Sequence, residues 1–410
     1  MKKIGFYFLI LGISVIYLLL RINRLNENIE FRLDQGIHLL ETYQMVTSKK
    51  ISLIGPMVTS KSRDGRNFYI GGNYYYALAI LGIVSEWDPV KITAFYNFIE
   101  LTFIIFFIFW LRSRFNPNSA IIIFVFLTSF CYLITHSRFF WNPHFLIPLG
   151  ILVTYFIDQF YQRQQNIFLL LAAITLGNAV SFHYSALVWT IPIVAFIIFT
   201  KSKSIWQIPL FLLGTTVGAL PIIIFELRHN FYNIRTIFFI FTHFEENRGL
   251  TPHYFVYPTL IFILWFFAYF QNKFKVKKYF IIASTFFLFL IGLLIPPVSP
   301  LDNLSGWDYP SQKRVVDIIT KNICPENYNI ASTVGGDTRS YDIRYLLTIR
   351  HCPPKEVETY SDNQTLFLVA PPDRPPETEK VWEVSSFKPF KVTNQQEINN
   401  QIILYRLDKT

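Results

Sequence analysis

Phe31-Arg32-Leu33-Asp34-Gln35-Gly36 follows close on an apolar run at 4–21, and the two together set the reading of the chain. A run of that length and composition suits a membrane span. Asp34 then stands just outside the membrane, where a carboxylate facing Arg and His residues suggests chemistry at the lipid–water boundary. Lys2 and Lys3 precede the run, as they would in a signal peptide. The run exceeds a usual signal core, however, and Arg21-Ile22-Asn23-Arg24 follows it instead of a small-residue cleavage site. An uncleaved span is expected.

The composition extends this reading to the whole chain. Of 410 residues, 52% are hydrophobic, 43 are Phe and only 16% are charged, which is too little charge for a soluble chain of this length. Nine spans are expected, at 4–21, 91–111, 119–135, 144–160, 166–182, 185–200, 206–225, 253–270 and 279–297. The stretch 74–84 is too short to cross and reads as an interfacial or re-entrant helix. The net charge of +10 would suggest nucleic acid in a soluble protein. Here it has a simpler source. With the N-terminus inside, the cytoplasmic segments hold Lys2, Lys3, Arg112, Arg114, Arg163, Lys201, Lys203, Lys273, Lys275, Lys277 and Lys278, with almost no acids. A plasma (inner) membrane protein is expected, with its N-terminus cytoplasmic and its C-terminal domain extracytoplasmic. Its partners include membrane lipids and no nucleic acid.

Two outer segments stand out in the expected membrane domain, 1–298. The loop 22–90 holds an amphipathic helix at 35–47, then Leu53-Ile54-Gly55-Pro56, then Tyr74-Tyr75-Tyr76. The segment 226–252 places Ile234, Ile237, Phe238 and Phe241 at helical spacing, as in a helix lying in the interface. From 299 to 410 the composition changes, and a small soluble α/β domain is expected. Its strands are placed at 328–334, 365–370, 381–386 and 401–407, and its helices near 309–322 and 339–350. Cys131 reads as an apolar filler inside a span. Cys324 and Cys352 flank a strand and a helix that return towards each other, so a disulfide and two free thiols both stay open.

Asp34, His38 and Glu41 share one face of a helix. Asp34 reads equally as a general base and as the N-cap of a helix beginning at Gln35. His136, Arg138, Trp141, Asn142 and His144 surround one outer turn. His183 and Tyr184 form another. Glu226, Arg228, His229 and Arg235 follow the seventh span. The topology brings all three groups to the side of Asp34, where Arg and His can pair with a phosphate and stabilise it as a leaving group. Glu100 lies inside a span, with no basic partner suggested by its sequence neighbours. No metal-ligand spacing, P-loop or nucleophile elbow is present.

In this order the pieces resemble the GT-C membrane glycosyltransferases. The nearer likeness is to the bacterial branch related to protein O-mannosyltransferases and lipid A aminoarabinose transferases. The pieces are Asp34-Gln35-Gly36, Leu53-Ile54-Gly55-Pro56, Tyr74-Tyr75-Tyr76, Ser137-Arg138-Phe139-Phe140-Trp141-Asn142-Pro143, Phe182-His183-Tyr184, Phe225-Glu226-Leu227-Arg228-His229 and Gly336-Asp337-Thr338-Arg339-Ser340-Tyr341-Asp342. The resemblance implies an all-α polytopic fold, a polyprenyl-phosphate sugar donor in the outer leaflet, and inversion at the anomeric carbon with Asp34 as base. The donor phosphate would be held by residues among Arg138, His183, Arg228 and His229. Gly55, Pro56 and the Tyr74–Tyr76 helix would shape a lid over the donor. Asn142 and Tyr184 are further site candidates. Many relatives carry Asp-Glu where this chain has Asp34-Gln35, so Glu41 or Glu226 would have to supply the second carboxylate of an acceptor or divalent-metal site. The acceptor would be a lipid, glycan or protein hydroxyl. The alternatives are a lipid or sugar transporter or flippase, a polysaccharide polymerase or ligase, and a non-catalytic scaffold. Transporters place polar groups near the midplane, whereas here these groups gather at the span ends.

Overall fold

A computed structural model describes residues 3–58, 67–199, 206–242, 253–274, 306–321, 324 and 326–410. The chain opens with α1 (Lys3–Ile22), a short α2 (Leu25–Asn28) and α3 (Leu33–Thr47). An antiparallel hairpin follows, β1 (Ile54–Val58) and β2 (Phe68–Gly71), then α4 (Asn73–Val84). The helical bundle comprises α5 (Pro89–Arg114), α6 (Pro117–Ser129), α7 (Cys131–His136), α8 (Leu146–Arg163), α9 (Asn166–Phe182), α10 (Thr190–Phe199), α11 (Gln207–Gly218), α12 (Leu220–Arg228), α13 (Tyr232–Thr242) and α14 (His253–Phe274). The C-terminal region contains α15 (Tyr309–Thr320), β3 (Tyr328–Ser332), α16 (Tyr341–Ile349), β4 (Thr365–Ala370), α17 (Trp382–Ser385), β5 (Phe390–Asn399) and β6 (Ile402–Lys409). Its sheet runs β3-β4-β6-β5, with β3 and β4 parallel and the other neighbours antiparallel.

This is a mostly helical polytopic membrane fold carrying a small C-terminal sheet, but its expected spans are less regular than their hydropathy. Four helices among the described residues, α1, α5, the 142–163 segment and α14, are long and apolar enough to cross a membrane, or five with the α11–α12 pair. The other expected spans are short or broken. Phe130 adopts extended backbone and splits 119–135 into α6 and α7. Pro221 lacks the amide that would continue α11, and α11 and α12 meet at 83°. The expected span at 279–297 lies outside the described residues. Cys131 does not fill the interior; it opens α7 and is half-buried.

Close backbone approach holds the bundle at α9 and α11. A Cβ on Gly177 would stand 2.1 Å from the Thr215 carbonyl oxygen, and one on Gly218 would stand 2.0 Å from that of Ile174. Small residues at such crossings let dispersion and backbone contacts replace the hydrophobic driving force that lipid removes. Glu100 is not isolated as its sequence neighbourhood suggested: the Arg21 guanidinium acts on it electrostatically. Arg21 is wholly buried, stacks 3.6 Å over the Tyr17 ring, and donates to the carbonyls of Leu127 (2.9 Å) and Thr128 (3.0 Å) where α6 ends. Elsewhere in the bundle, Arg114 pairs with the buried Asp158 at 3.2 Å.

The C-terminal region shares a core with the first loop. Phe31 packs edge-on against Tyr309 and Tyr345, at 6.0 and 5.7 Å between ring centroids. Gln312 Nε2 donates to the Phe31 carbonyl at 2.7 Å. The buried Asp342 accepts from Trp307 Nε1 (2.8 Å) and from Gln312 (3.1 Å). Cys324 and Cys352 are disulfide-bonded, closing one of the two possibilities left open by the sequence. The expected strand 381–386 is instead the single-turn α17. Val384 and Phe387, three residues apart, are both buried in the sheet's core, a helical spacing and not an alternating one. The strand β5 replaces it in the sheet.

Candidate active site

The site begins with the first turn of α3. Its N-cap is Arg32, whose amide donates to Gln35 Oε1 at 3.3 Å. Asp34 therefore lies inside the first turn and does not cap the helix. A carboxylate there is favoured by the helix dipole and remains available for chemistry. α3 is held in place by contact with α16: a Cβ on Gly36 would stand 2.6 Å from the Tyr341 carbonyl carbon and the Asp342 amide nitrogen. Only glycine allows that approach, and it lies two residues from Asp34.

Asp34 faces a cavity of about 180 Å³. His38, Asn142, His183 and Tyr184 share its wall, as the sequence anticipated, along with Pro56 and Trp141. Met57, Val58, Phe68, Ile70, His253 and Tyr254 complete it. Sequence reasoning did not single out these last six. A usable signal existed for His253-Tyr254, which open an apolar run on the same expected side as His183. Nothing comparable marked the hairpin residues, because β1 and β2 are too short and mixed for periodicity to register.

Burial raises the pKa of Asp34 above the usual carboxylate range, and the nearby Asp337 carboxylate raises it further. Asp337 belongs to the C-terminal region. It accepts from the Tyr341 amide at 2.6 Å and the Arg339 amide at 3.1 Å, which fixes it at the start of α16. Burial lowers the His38 pKa to about 3, so this imidazole is neutral at working pH. It shares a hydrogen bond of 3.2 Å with the Tyr74 hydroxyl through Nδ1. His183 is likewise held at about 3, by burial and then by His253. The Ser185 amide donates to His183 Nδ1 at 3.3 Å, which places the neutral ring's proton on Nε2. Its Nδ1 also pairs with the Ser185 hydroxyl at 2.7 Å. Asn142 donates from Nδ2 to the Phe182 carbonyl at 2.9 Å, and Tyr184 donates to the Tyr69 carbonyl at 2.7 Å.

The remaining candidates lie elsewhere. Arg138 is buried but does not line this cavity; its carbonyl accepts from the Glu30 amide at 3.2 Å. Arg228 and His229 are exposed beyond the α11–α12 bend, with His229 stacked on Phe225. Glu226 is buried and accepts from the amides of Asn233 (3.2 Å) and Ile234 (3.3 Å), capping α13. Asn233 in turn takes the Tyr69 amide at 2.9 Å and thereby anchors the hairpin. Glu41, Gly55 and Tyr75 line a different cavity, and the Tyr75 hydroxyl donates to Glu41. Tyr76 donates to the Ser52 carbonyl at 2.6 Å. Among the described residues no group of three or more His, Cys, Asp and Glu is placed to hold a metal ion.

No protein-family model matches the chain, and no curated protein matches it. Among solved structures, the crystal structure of ArnT from Cupriavidus metallidurans bound to undecaprenyl phosphate is similar. The match covers 99% of this chain and 98% of that one, with a TM-score of 0.58 and 10% identical residues. A likeness spanning both chains at so low an identity is a likeness of fold: this chain has an ArnT-like membrane fold.

Proposed function

We propose that the protein is a glycosyltransferase that moves a sugar from a polyprenyl-phosphate donor to an acceptor hydroxyl at the outer face of the plasma membrane. The observation that carries this reading is the cavity that joins Asp34 to His183, His253 and Trp141. The same cavity offers a base and imidazole donors, as a substitution at carbon needs. Asp34 accepts the proton of the acceptor hydroxyl. The hydroxyl oxygen bonds to the anomeric carbon as the bond from that carbon to the phosphate oxygen breaks. The electron pair leaves with polyprenyl phosphate, and its growing charge is met by the Nε2 proton of His183. Of the four residues expected at the phosphate, His183 is the one on this wall, and His253 is its natural companion. Phe68, Ile70 and Val58 supply apolar surface for the first prenyl units. The neighbour's bound undecaprenyl phosphate supports this donor class.

Thermal unfolding in nanodiscs tests the donor class. A ligand at a hundred times its Kd stabilises by about 2.7 kcal/mol. Polyprenyl phosphate is expected to raise the Tm, and polyprenyl alcohol of the same length is not. Equal shifts with both lipids would mean that the cavity does not read phosphate, and the proposal would fall.

A further inference from the structure

The β1–β2 hairpin is a wall with two faces, and only one of them meets Asp34. Side chains alternate across a strand. Phe68 and Ile70 therefore line the Asp34 cavity, while Tyr69 between them lines a second cavity of about 460 Å³. On β1, Pro56 and Val58 face the first cavity, Ile54 and Gly55 the second, and Met57 borders both. Helix α3 runs along the two. Asp34 and His38 face the first, and Glu41, Gln44 and Ser48 continue the same stripe into the second. Asp34 and Glu41 are seven residues apart, about 10.5 Å along the helix axis.

We propose that the second cavity is the acceptor site and that it takes a saccharide. This rests on the glycosyltransferase reading above and assigns its acceptor class. Glu41, Gln44, Lys50 and Ser52 offer a carboxylate, an amide, an ammonium and a hydroxyl within one hollow, with the Tyr69 ring as a flat apolar surface. Vicinal hydroxyls of a sugar satisfy such a set, and the C–H face of the ring lies on the tyrosine. An acyl chain would desolvate Glu41 and Lys50 without replacing their hydrogen bonds, which is costly. The Tyr75 hydroxyl already donates to one Glu41 oxygen, fixing the carboxylate and leaving acceptor capacity for a ligand. Met57, unbranched and 42% exposed, is the shared border over which the acceptor's reacting hydroxyl reaches Asp34. That hydroxyl gives its proton to Asp34 and its oxygen to the anomeric carbon, and polyprenyl phosphate departs, so the step needs no further reactant.

Saturation-transfer NMR on the full chain in nanodiscs, with a mixed set of neutral and acidic tri- to pentasaccharides as probe, tests this. At least one saccharide is expected to bind. Its affinity should fall by about tenfold or more in Glu41→Gln and in Tyr69→Ala, the loss of a charge-assisted bond or a stacking face. Tyr69→Phe should retain it. The hydrogen bonds that anchor Tyr69 use its backbone, so both Tyr69 variants keep the hairpin's ties to Asn233 and Tyr184. No binding by any saccharide, or binding indifferent to Glu41 and Tyr69, would overturn the proposal. The phosphate-dependent Tm shift of the same preparations separates the two readings: if it persists, only the acceptor assignment has failed.

Discussion

At the scale of single residues, the Asp34 carboxylate is kept basic by its surroundings. A raised pKa means that folding disfavours the ionised form of Asp34. The burial penalty is therefore absent below the ordinary carboxylate value of 3.8, grows as pH rises from there to the folded value, and is complete above it. Asp34→Asn is expected to unfold at a higher temperature than wild type at neutral pH, with the difference fading near pH 3; a lower Tm at neutral pH would contradict the burial argument. As the proposed base, Asp34 would work only when deprotonated. Removing the Asp337 charge should lower the Asp34 pKa, so Asp337→Asn should move the acid limb of the rate profile to lower pH. His183 behaves in the opposite sense. Its pKa is about 3 in the free protein, and an adjacent phosphate raises it. Donor binding should then take up protons and tighten as pH falls, which calorimetry in two buffers of different ionisation enthalpy can read. The meeting of Asp34, His38 and His183 at one cavity was legible in the sequence through helix spacing and topology. Arg228 and His229 were not, because their placement depends on an 83° bend that hydropathy does not register.

At the scale of elements, the sequence located segments better than their shapes. The helices α9, α4 and α15, and the strand β4, fall within two residues of their expected bounds. The helix α3 begins two residues early, and that offset moves Asp34 from the cap position into the helix. The strand β5 escaped notice because Thr393, Asn394, Gln395 and Gln396 carry no apolar alternation. It forms because β6 offers a paired edge. Gly36 gives the sharpest test at this scale. Gly36→Ala drives a methyl into the α16 backbone and should cost about 1–3 kcal/mol. Because Asp34 lies on the adjoining turn, transfer should fall with it. Full stability and full activity in this variant would mean that the α3–α16 contact does not position the site.

At the scale of the whole molecule, the C-terminal sheet and the first loop act as one support. Phe31, Tyr309 and Tyr345 share a core, and Gln312 and Asp342 tie that core to the backbone that leads into α3. The disulfide closes a loop of sequence separation 28, for which the chain-entropy model gives about 3–4 kcal/mol. Reduction should loosen this region and lower transfer without dismantling the helical bundle; circular dichroism and activity, measured on the same reduced sample, check both halves of that statement. Sugar transfer from polyprenyl phosphate with Asp34 as base is the proposal on which these expectations rest. The most direct measurement is release of polyprenyl phosphate from a panel of polyprenyl-phosphate sugars by wild type and Asp34→Asn in lipid, with saccharide acceptors supplied. Release by wild type is expected, with a loss of two or more orders of magnitude in the variant. Equal release by a correctly folded Asp34→Asn protein would contradict it.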